Sequence, residues 1–387
     1  MADVVPETDN SEGKAEAHDV SALSHQPFPN APPRLLIRFV LGLRRFLQRL
    51  ADRVVPADAA VCEYSMGVGF TAVLGALTRL GIADILAESP MNARQLAEAT
   101  GCNADAIHRA MRAAVTSGFF SLSKSGVFSN NRMSIALRKE RLSRTREFVE
   151  YISSKSNCAA YLEMDHILKT GEDGFMLANK ADLWEWFDTH PRERENFAQA
   201  MMGVTIGETP MVARLYPFGD IKRLCDLGGG RGALLSEIVI RYPHIEGVLF
   251  DCEGVIESAR PLLKARGVED RIELVVGNFF ESVVPGCDAY LLKNVLHDWD
   301  DQRCEVILSN CRKVMQPGYK ILLVEIILER NDTTNFASYR DIHVMTVCTG
   351  GRERSPEDYA RLLGKADFTM TRVFRSPIIS VIEGQAN

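Results

Sequence analysis

Leu224-Cys-Asp-Leu-Gly-Gly-Gly-Arg-Gly232 decides the fold, and 61 residues after its last glycine stands Lys293-Asn-Val-Leu-His-Asp-Trp299. The first stretch reads as a short apolar strand entering a glycine-rich turn, then a helix from Ala233 to about Arg241. Glycine carries no Cβ and accepts positive φ, so the backbone N–H groups of such a turn approach a nucleotide-like ligand closely. The second stretch puts His297 at the end of another apolar strand, Asp288 to Leu296. Ligands of open α/β sheets bind outside the carboxyl ends of the strands. Both segments therefore aim at one crevice, a cofactor cradle beside a base, and the pair points to an enzyme.

The glycines alone admit two cofactors. Gly228, Gly230 and Ala233 fit the dinucleotide pattern G-x-G-x-x-A; read from Asp226, the same residues form D-x-G-x-G-x-G. An acid two residues before the first glycine repels a pyrophosphate and attracts an ammonium or sulfonium. That charge favours S-adenosylmethionine over NAD. Asp251 closes the next strand, Gly247–Asp251, and accepts ribose hydroxyls in either reading.

Working outward, strand (Ile272–Gly277), strand (Asp288–Leu296), helix (Asp300–Val314) and strand (Lys320–Ile326) continue the alternation. This predicts the α/β class: a doubly wound, mostly parallel sheet with helices on both faces. After a helix near Pro356–Lys365, short strands Thr369–Phe374 and Ile378–Ile382 read as a terminal antiparallel hairpin. Upstream, residues 1–33 are polar and expected to be disordered. Arg34–Val54 reads as a basic amphipathic helix packed on the chain or a partner subunit rather than on a membrane. Helices follow over Ala60–Arg79 and Ile82–Ala87, then a helix-turn-helix (Asn92–Cys102, Asp105–Gly118) and a β wing (Phe119–Phe128). Residues 91–120 hold only Arg94, Arg109 and Arg112 against Glu98 and Asp105, too little positive charge to read phosphates. The chain thus divides into 1–33, a helical winged-helix part (34–140), a helical linker (141–215) and the cofactor domain (216–387).

A net charge of −6 argues against nucleic acid as partner. The nine cysteines include no C-x-x-C pair, which fits reduced thiols in the cytoplasm better than disulfides or a zinc site.

The landmarks Asp226–Gly232, Leu249-Phe-Asp251, Gly277-Asn-Phe-Phe280, Leu292–Trp299, Leu323-Val-Glu325 and Gly350-Gly-Arg-Glu-Arg354 stand in order. With them the chain resembles the class I S-adenosylmethionine-dependent O-methyltransferases of the caffeic acid and acetylserotonin type, including their bacterial secondary-metabolite branch. The resemblance implies a homodimer whose winged-helix part dimerises, a small aromatic substrate and no metal. It implies His297 as general base, flanked by Glu325 and Glu353. It places Gly228 and its neighbours at the methionine portion, Asp251 at the ribose, Asn278 and Phe279 at the adenine, and Lys293 beside ribose and methionine. Met201 and Thr205 resemble positions that touch substrate or cofactor. Asp298 is a substrate-side candidate that is also placed to cap the next helix. The family usually has Asp where this chain has Asn278, which removes a charge but keeps an acceptor.

An ordinary imidazole (pKa ~6.5) takes a proton from a phenol (~10) at a cost of about 5 kcal/mol. From an aliphatic alcohol the gap is roughly 12 kcal/mol, so a phenol or acidic enol is the expected acceptor. The rivals are an NAD-linked oxidoreductase, disfavoured by Asp226 and the terminal hairpin, and a winged-helix regulator with a degenerate cofactor domain. The regulator predicts broken motifs, yet Asp251, Lys293 and His297 are all present.

Overall fold

Two asparagines set the N-terminal half. Asn92 and Asn103 each accept two backbone N–H groups at the start of the helices Ala93–Thr100 and Ala104–Thr116, fixing the helix-turn-helix. Strands β1 (Met91–Asn92), β2 (Ser121–Leu122) and β3 (Val127–Ser129) form the wing in the order β1-β3-β2. The single helix expected over Ala60–Arg79 is two, Ala57–Ser65 and Gly67–Arg79. The Ser65 hydroxyl donates to the Cys62 carbonyl (2.7 Å) and competes with the helical ladder at the break.

The computed structural model describes residues 28, 31–329, 331 and 337–387. Of the expected disordered stretch, residues 1–27, 29 and 30 lie outside the described residues, but Phe28 is docked. Its N–H donates to the Glu237 carboxylate (3.0 Å), its carbonyl accepts from Arg241 (2.7 Å), and Arg266 lies over its ring at 4.3 Å. The helix Arg34–Val54 forms where its periodicity predicts, with no residue buried. No single helix among the described residues is long and apolar enough to cross a membrane.

The second half is one sheet of seven strands: β4 (Arg223–Leu227), β5 (Glu246–Asp251), β6 (Ile272–Val276), β7 (Ala289–Lys293), β8 (Lys320–Glu325), β9 (Phe368–Phe374) and β10 (Ser380–Ala386). Their order is β6-β5-β4-β7-β8-β10-β9, parallel from β6 to β8, with β10 and β9 antiparallel. Successive residues of β4 enter opposite cores: Leu224 joins Leu235, Leu249 and Leu262, while Cys225 joins Tyr290, Leu292 and Ile307. Helices therefore cover both faces. The last strand starts two residues later than expected, because Pro377 lies in a turn whose Ile378 and Ile379 N–H groups donate to the Ser376 hydroxyl (3.3 and 3.1 Å). Parallel pairing brings the carboxyl ends of β4, β5, β7 and β8 to one edge, so Asp226, Asp251, Lys293 and Glu325 arrive together.

Below that edge the Glu237 side chain is fully buried between Arg266 (2.5 Å) and Arg241 (2.5 Å). Removing its charge takes a buried ionic partner from Arg266. Glu237→Gln should therefore cost ~3–5 kcal/mol in denaturant unfolding; a change below about 1 kcal/mol would show the pair to be dispensable.

Candidate active site

The turn after β4 takes positive φ at Gly228 (68°), Gly230 (59°) and Gly232 (76°), where any side chain would be strained. This backbone lets the Gly230 N–H donate to the Asp251 carboxylate (2.9 Å), which also accepts from the Cys252 N–H (2.8 Å). Asp226 is buried, and its Oδ1 has no hydrogen-bond partner. Burial pushes its pKa up to about 7, with Lys293 opposing and Asp251 adding. An orphaned, buried acid on a glycine cradle fits a ligand that brings positive charge. A Cβ on Gly228 would stand 3.5 Å from the Phe279 ring, so Phe279 forms the facing wall. Asn278 is engaged locally. Its Oδ1 accepts from the Phe280 N–H (3.0 Å) and its Nδ2 donates to Glu281 (3.1 Å), so the amide shapes the turn after β6.

His297 sits on a short helical turn, Leu296–Asp298, clamped from three sides. Glu325 accepts the Val295 and Leu296 N–H groups (3.2 and 3.0 Å). Arg354 donates to the Leu296 and Trp299 carbonyls (2.6 and 2.7 Å), and the Arg352 N–H donates to the His297 carbonyl (2.8 Å). The Gly350–Arg354 segment thus holds the histidine's backbone as well as supplying Glu353. At the ring, Nδ1 faces Glu353 Oε1 (3.3 Å), Glu325 Oε2 (3.4 Å) and an Arg340 Nη (3.1 Å), while Nε2 faces Asp298 Oδ1 (3.2 Å). Burial acts to lower the imidazole pKa. Asp298, Glu353 and Glu325 outweigh it, against Arg340, and push the pKa up to about 10. Glu353 is buried on an Arg340 ion pair (3.1 Å). Asp298 does not cap the next helix. Asp300 does, accepting from the Arg303 N–H (2.8 Å) one residue before that helix begins. The atoms of His297, Glu325 and Glu353 lie within 4.8 Å of one another, a donor set into which the Arg340 cation already reaches.

One cavity of about 2660 Å³ is lined by every cofactor and substrate candidate and by His297; Glu325 and Glu353 stand behind the ring. Thr205 accepts from Lys293 (3.2 Å), whose ammonium pairs with buried Glu208 (2.7 Å). Burial would raise the Glu208 pKa, but Lys293 and Arg340 outweigh it and hold the pKa below the usual range. Met201 packs in an aromatic cluster with Trp184 and Phe197. The same cavity holds a feature the sequence reading missed. His343 Nε2 meets the Tyr151 hydroxyl (3.1 Å) and its Nδ1 meets the Tyr161 hydroxyl (2.6 Å). Burial, with Arg340 adding, lowers its pKa to about 4, so the ring is neutral and carries one N–H. Three protons serve two internal hydrogen bonds, and one hydroxyl proton remains for a ligand acceptor in either tautomer.

This geometry has counterparts among known proteins. Residues 161–369 match the O-methyltransferase domain profile and residues 62–140 the O-methyltransferase dimerisation domain profile. A mitomycin biosynthesis 6-O-methyltransferase from Streptomyces lavendulae is 32% identical over 82% of this chain and 90% of its own length. The crystal structure of LaPhzM superposes with a TM-score of 0.82 at 30% identity, covering 86% of this chain and all of that one. An O-methyltransferase from neocarzinostatin biosynthesis, solved with S-adenosylmethionine and 2-hydroxy-5-methyl naphthoic acid, superposes at 0.74 and 25% identity over 83% and 96%. By sequence match and by fold, this chain belongs to the O-methyltransferase family, with a dimerisation domain of the same family at its N-terminal side.

Proposed function

We propose that this chain methylates a phenolic or enolic hydroxyl of a small aromatic secondary metabolite, working in the cytoplasm as a homodimer with His297 as general base. The observation that carries the reading is the shared cavity, in which the orphaned acid Asp226 and the carboxylate-backed His297 face one space. Asp226 would answer the positive charge of S-adenosylmethionine, Asp251 its ribose, and Phe279 its base. The cofactor, when bound, supplies an electrophilic sulfonium methyl.

The chain's own residues do the rest. Met201, Trp184 and Phe197 give the acceptor ring an apolar wall, and the Tyr151–His343–Tyr161 relay offers one donor to a carbonyl on that ring. Fixing the hydroxyl in line with the methyl can supply up to ~7–11 kcal/mol of rate. As the oxygen attacks, its proton passes to His297 Nε2. Glu353 and Glu325, 3.3 and 3.4 Å from Nδ1, would offset the charge of the imidazolium. The nine free cysteines fit the cytoplasmic assignment.

The test is thermal unfolding with S-adenosylhomocysteine, NAD⁺ or buffer. A ligand at about 100 times its Kd adds ~2.7 kcal/mol, a Tm rise of several degrees. S-adenosylhomocysteine alone should give it. A rise with NAD⁺ alone would replace methyl transfer by hydride transfer, and no rise with either would point to the degenerate regulator.

A further inference from the structure

Arg340 stands on the helix Ala337–Val347 and lines the cavity beside His297, outside every landmark of the sequence. Its guanidinium meets groups from three other elements. Nε pairs with Glu353 Oε1 (3.1 Å), one Nη lies 3.7 Å from Glu208 Oε1, and the other lies 3.1 Å from His297 Nδ1. Both acids are buried, so the cation is held from two sides. The next residue, Asp341, accepts the Glu353 N–H (2.8 Å). Two consecutive residues of one helix therefore seat the side chain and the backbone of Glu353.

The charges around the ring do not balance without Arg340. Asp298 on the same turn, Glu325 at the end of β8 and Glu353 each face a ring nitrogen, and each favours the imidazolium. Arg354 is engaged elsewhere, by the Asp301 carboxylate (2.9 Å) and the Leu296 and Trp299 carbonyls. Lys293 is engaged by Glu208 (2.7 Å), and His343 is neutral between its two tyrosines. Among the described residues, Arg340 is the cation in contact with the ring. A guanidinium is always charged and has no acceptor, so at this distance it opposes a second positive charge.

We propose that Arg340 is a positioning residue for methyl transfer: it seats Glu353 beside His297 and offsets the carboxylates, so that the ring can shed its proton between turnovers. The proton taken from the acceptor hydroxyl at Nε2 then leaves to water, and the neutral base is restored. The proposal rests on the methyltransferase reading and adds a cation to its set of His297, Glu325 and Glu353.

The experiment observes the ring itself, so it needs no methyl acceptor. The full chain, labelled with carbon-13 at histidine Cε1 and saturated with S-adenosylhomocysteine, carries eight histidine rings, and His297→Ala identifies the signal that is lost. Arg340→Gln should raise the pH at which that signal titrates by about one unit or more. Arg340→Lys keeps the charge and should raise it by less than half as much. Loss of packing alone would not produce this split. Both variants should bind S-adenosylhomocysteine within about twofold of wild type, since Asp226 and Asp251 stand on β4 and β5. If Arg340→Gln does not fold, Arg340→Met, uncharged and of similar reach, carries the same expectation. A midpoint that stays or falls on loss of the charge, or that moves equally in the lysine variant, overturns the proposal. Failure of wild type to bind S-adenosylhomocysteine would instead remove the methyltransferase reading, so the two failures are distinguishable.

Discussion

His297→Ala is expected to lower methyl transfer by ~10²–10⁴ and to leave S-adenosylhomocysteine affinity within about twofold. The cradle does not depend on the imidazole: Asp226, Asp251 and Phe279 reach their places from β4, β5 and the turn after β6. The loss therefore belongs to the proton. With its pKa near 10, His297 nearly matches a phenol at ~10, so the transfer that costs an ordinary imidazole about 5 kcal/mol becomes close to level. The penalty moves to occupancy, because at neutral pH most molecules already carry the proton and only the neutral fraction can accept another.

The sign of the pH dependence follows. Turnover should climb about tenfold per unit above pH 7, since each unit deprotonates ten times more His297, and should level off before pH 10 because the sulfonium charge opposes the imidazolium. A profile flat from pH 7 upward would show that Asp298, Glu325 and Glu353 do not hold the proton. Unchanged turnover in His297→Ala would remove the residue from the mechanism.

The cradle and base were readable because each is written within a few consecutive residues. Glycines at 228, 230 and 232 have one use at a strand end, and the sheet edge follows from alternating apolar segments. What surrounds the base is assembled from afar. Arg340 and His343 lie on the helix Ala337–Val347, which was not anticipated. Its buried residues, Ala337, Val344, Thr346 and Val347, leave no long apolar stripe, and two of its sides meet the cavity or other helices. Glu208 was hidden in the helix Pro191–Leu215, where burial is spread around the whole cylinder and the apolar period is lost. Glu208 shares its helix with Arg192, Glu193, Arg194, Glu195 and Arg214, and Arg340 is followed by Asp341, so neither charge stood out in the sequence. The Asp298 cap was misassigned for a local reason: three acids lie within four residues at 298–301, and only backbone geometry tells which one precedes the helix.

Asp226→Asn should weaken S-adenosylmethionine by about 100-fold while making the ligand-free protein more stable. Ion-assisted hydrogen bonds are worth ~1.5–3 kcal/mol, and here the acceptor is a buried carboxylate with one oxygen unpartnered. The same oxygen makes the acid a burden when the site holds no cation. A folded pKa near 7 against 3.8 unfolded means that folded Asp226 keeps its proton where the unfolded chain has lost it. Its contribution to stability is full below about pH 3.8 and is lost as pH rises to about 7, a swing on the order of 4 kcal/mol. The amide variant should flatten this part of the curve and gain about 1–3 kcal/mol at pH 8 in denaturant unfolding. Cofactor binding must then draw the acid back to its charged form, so at pH 6 it should release a proton, measurable as a buffer-dependent calorimetric heat that vanishes in Asp226→Asn. If the variant keeps wild-type affinity, or loses stability instead of gaining it, Asp226 is a packing residue and the cationic cradle must lie elsewhere on the loop.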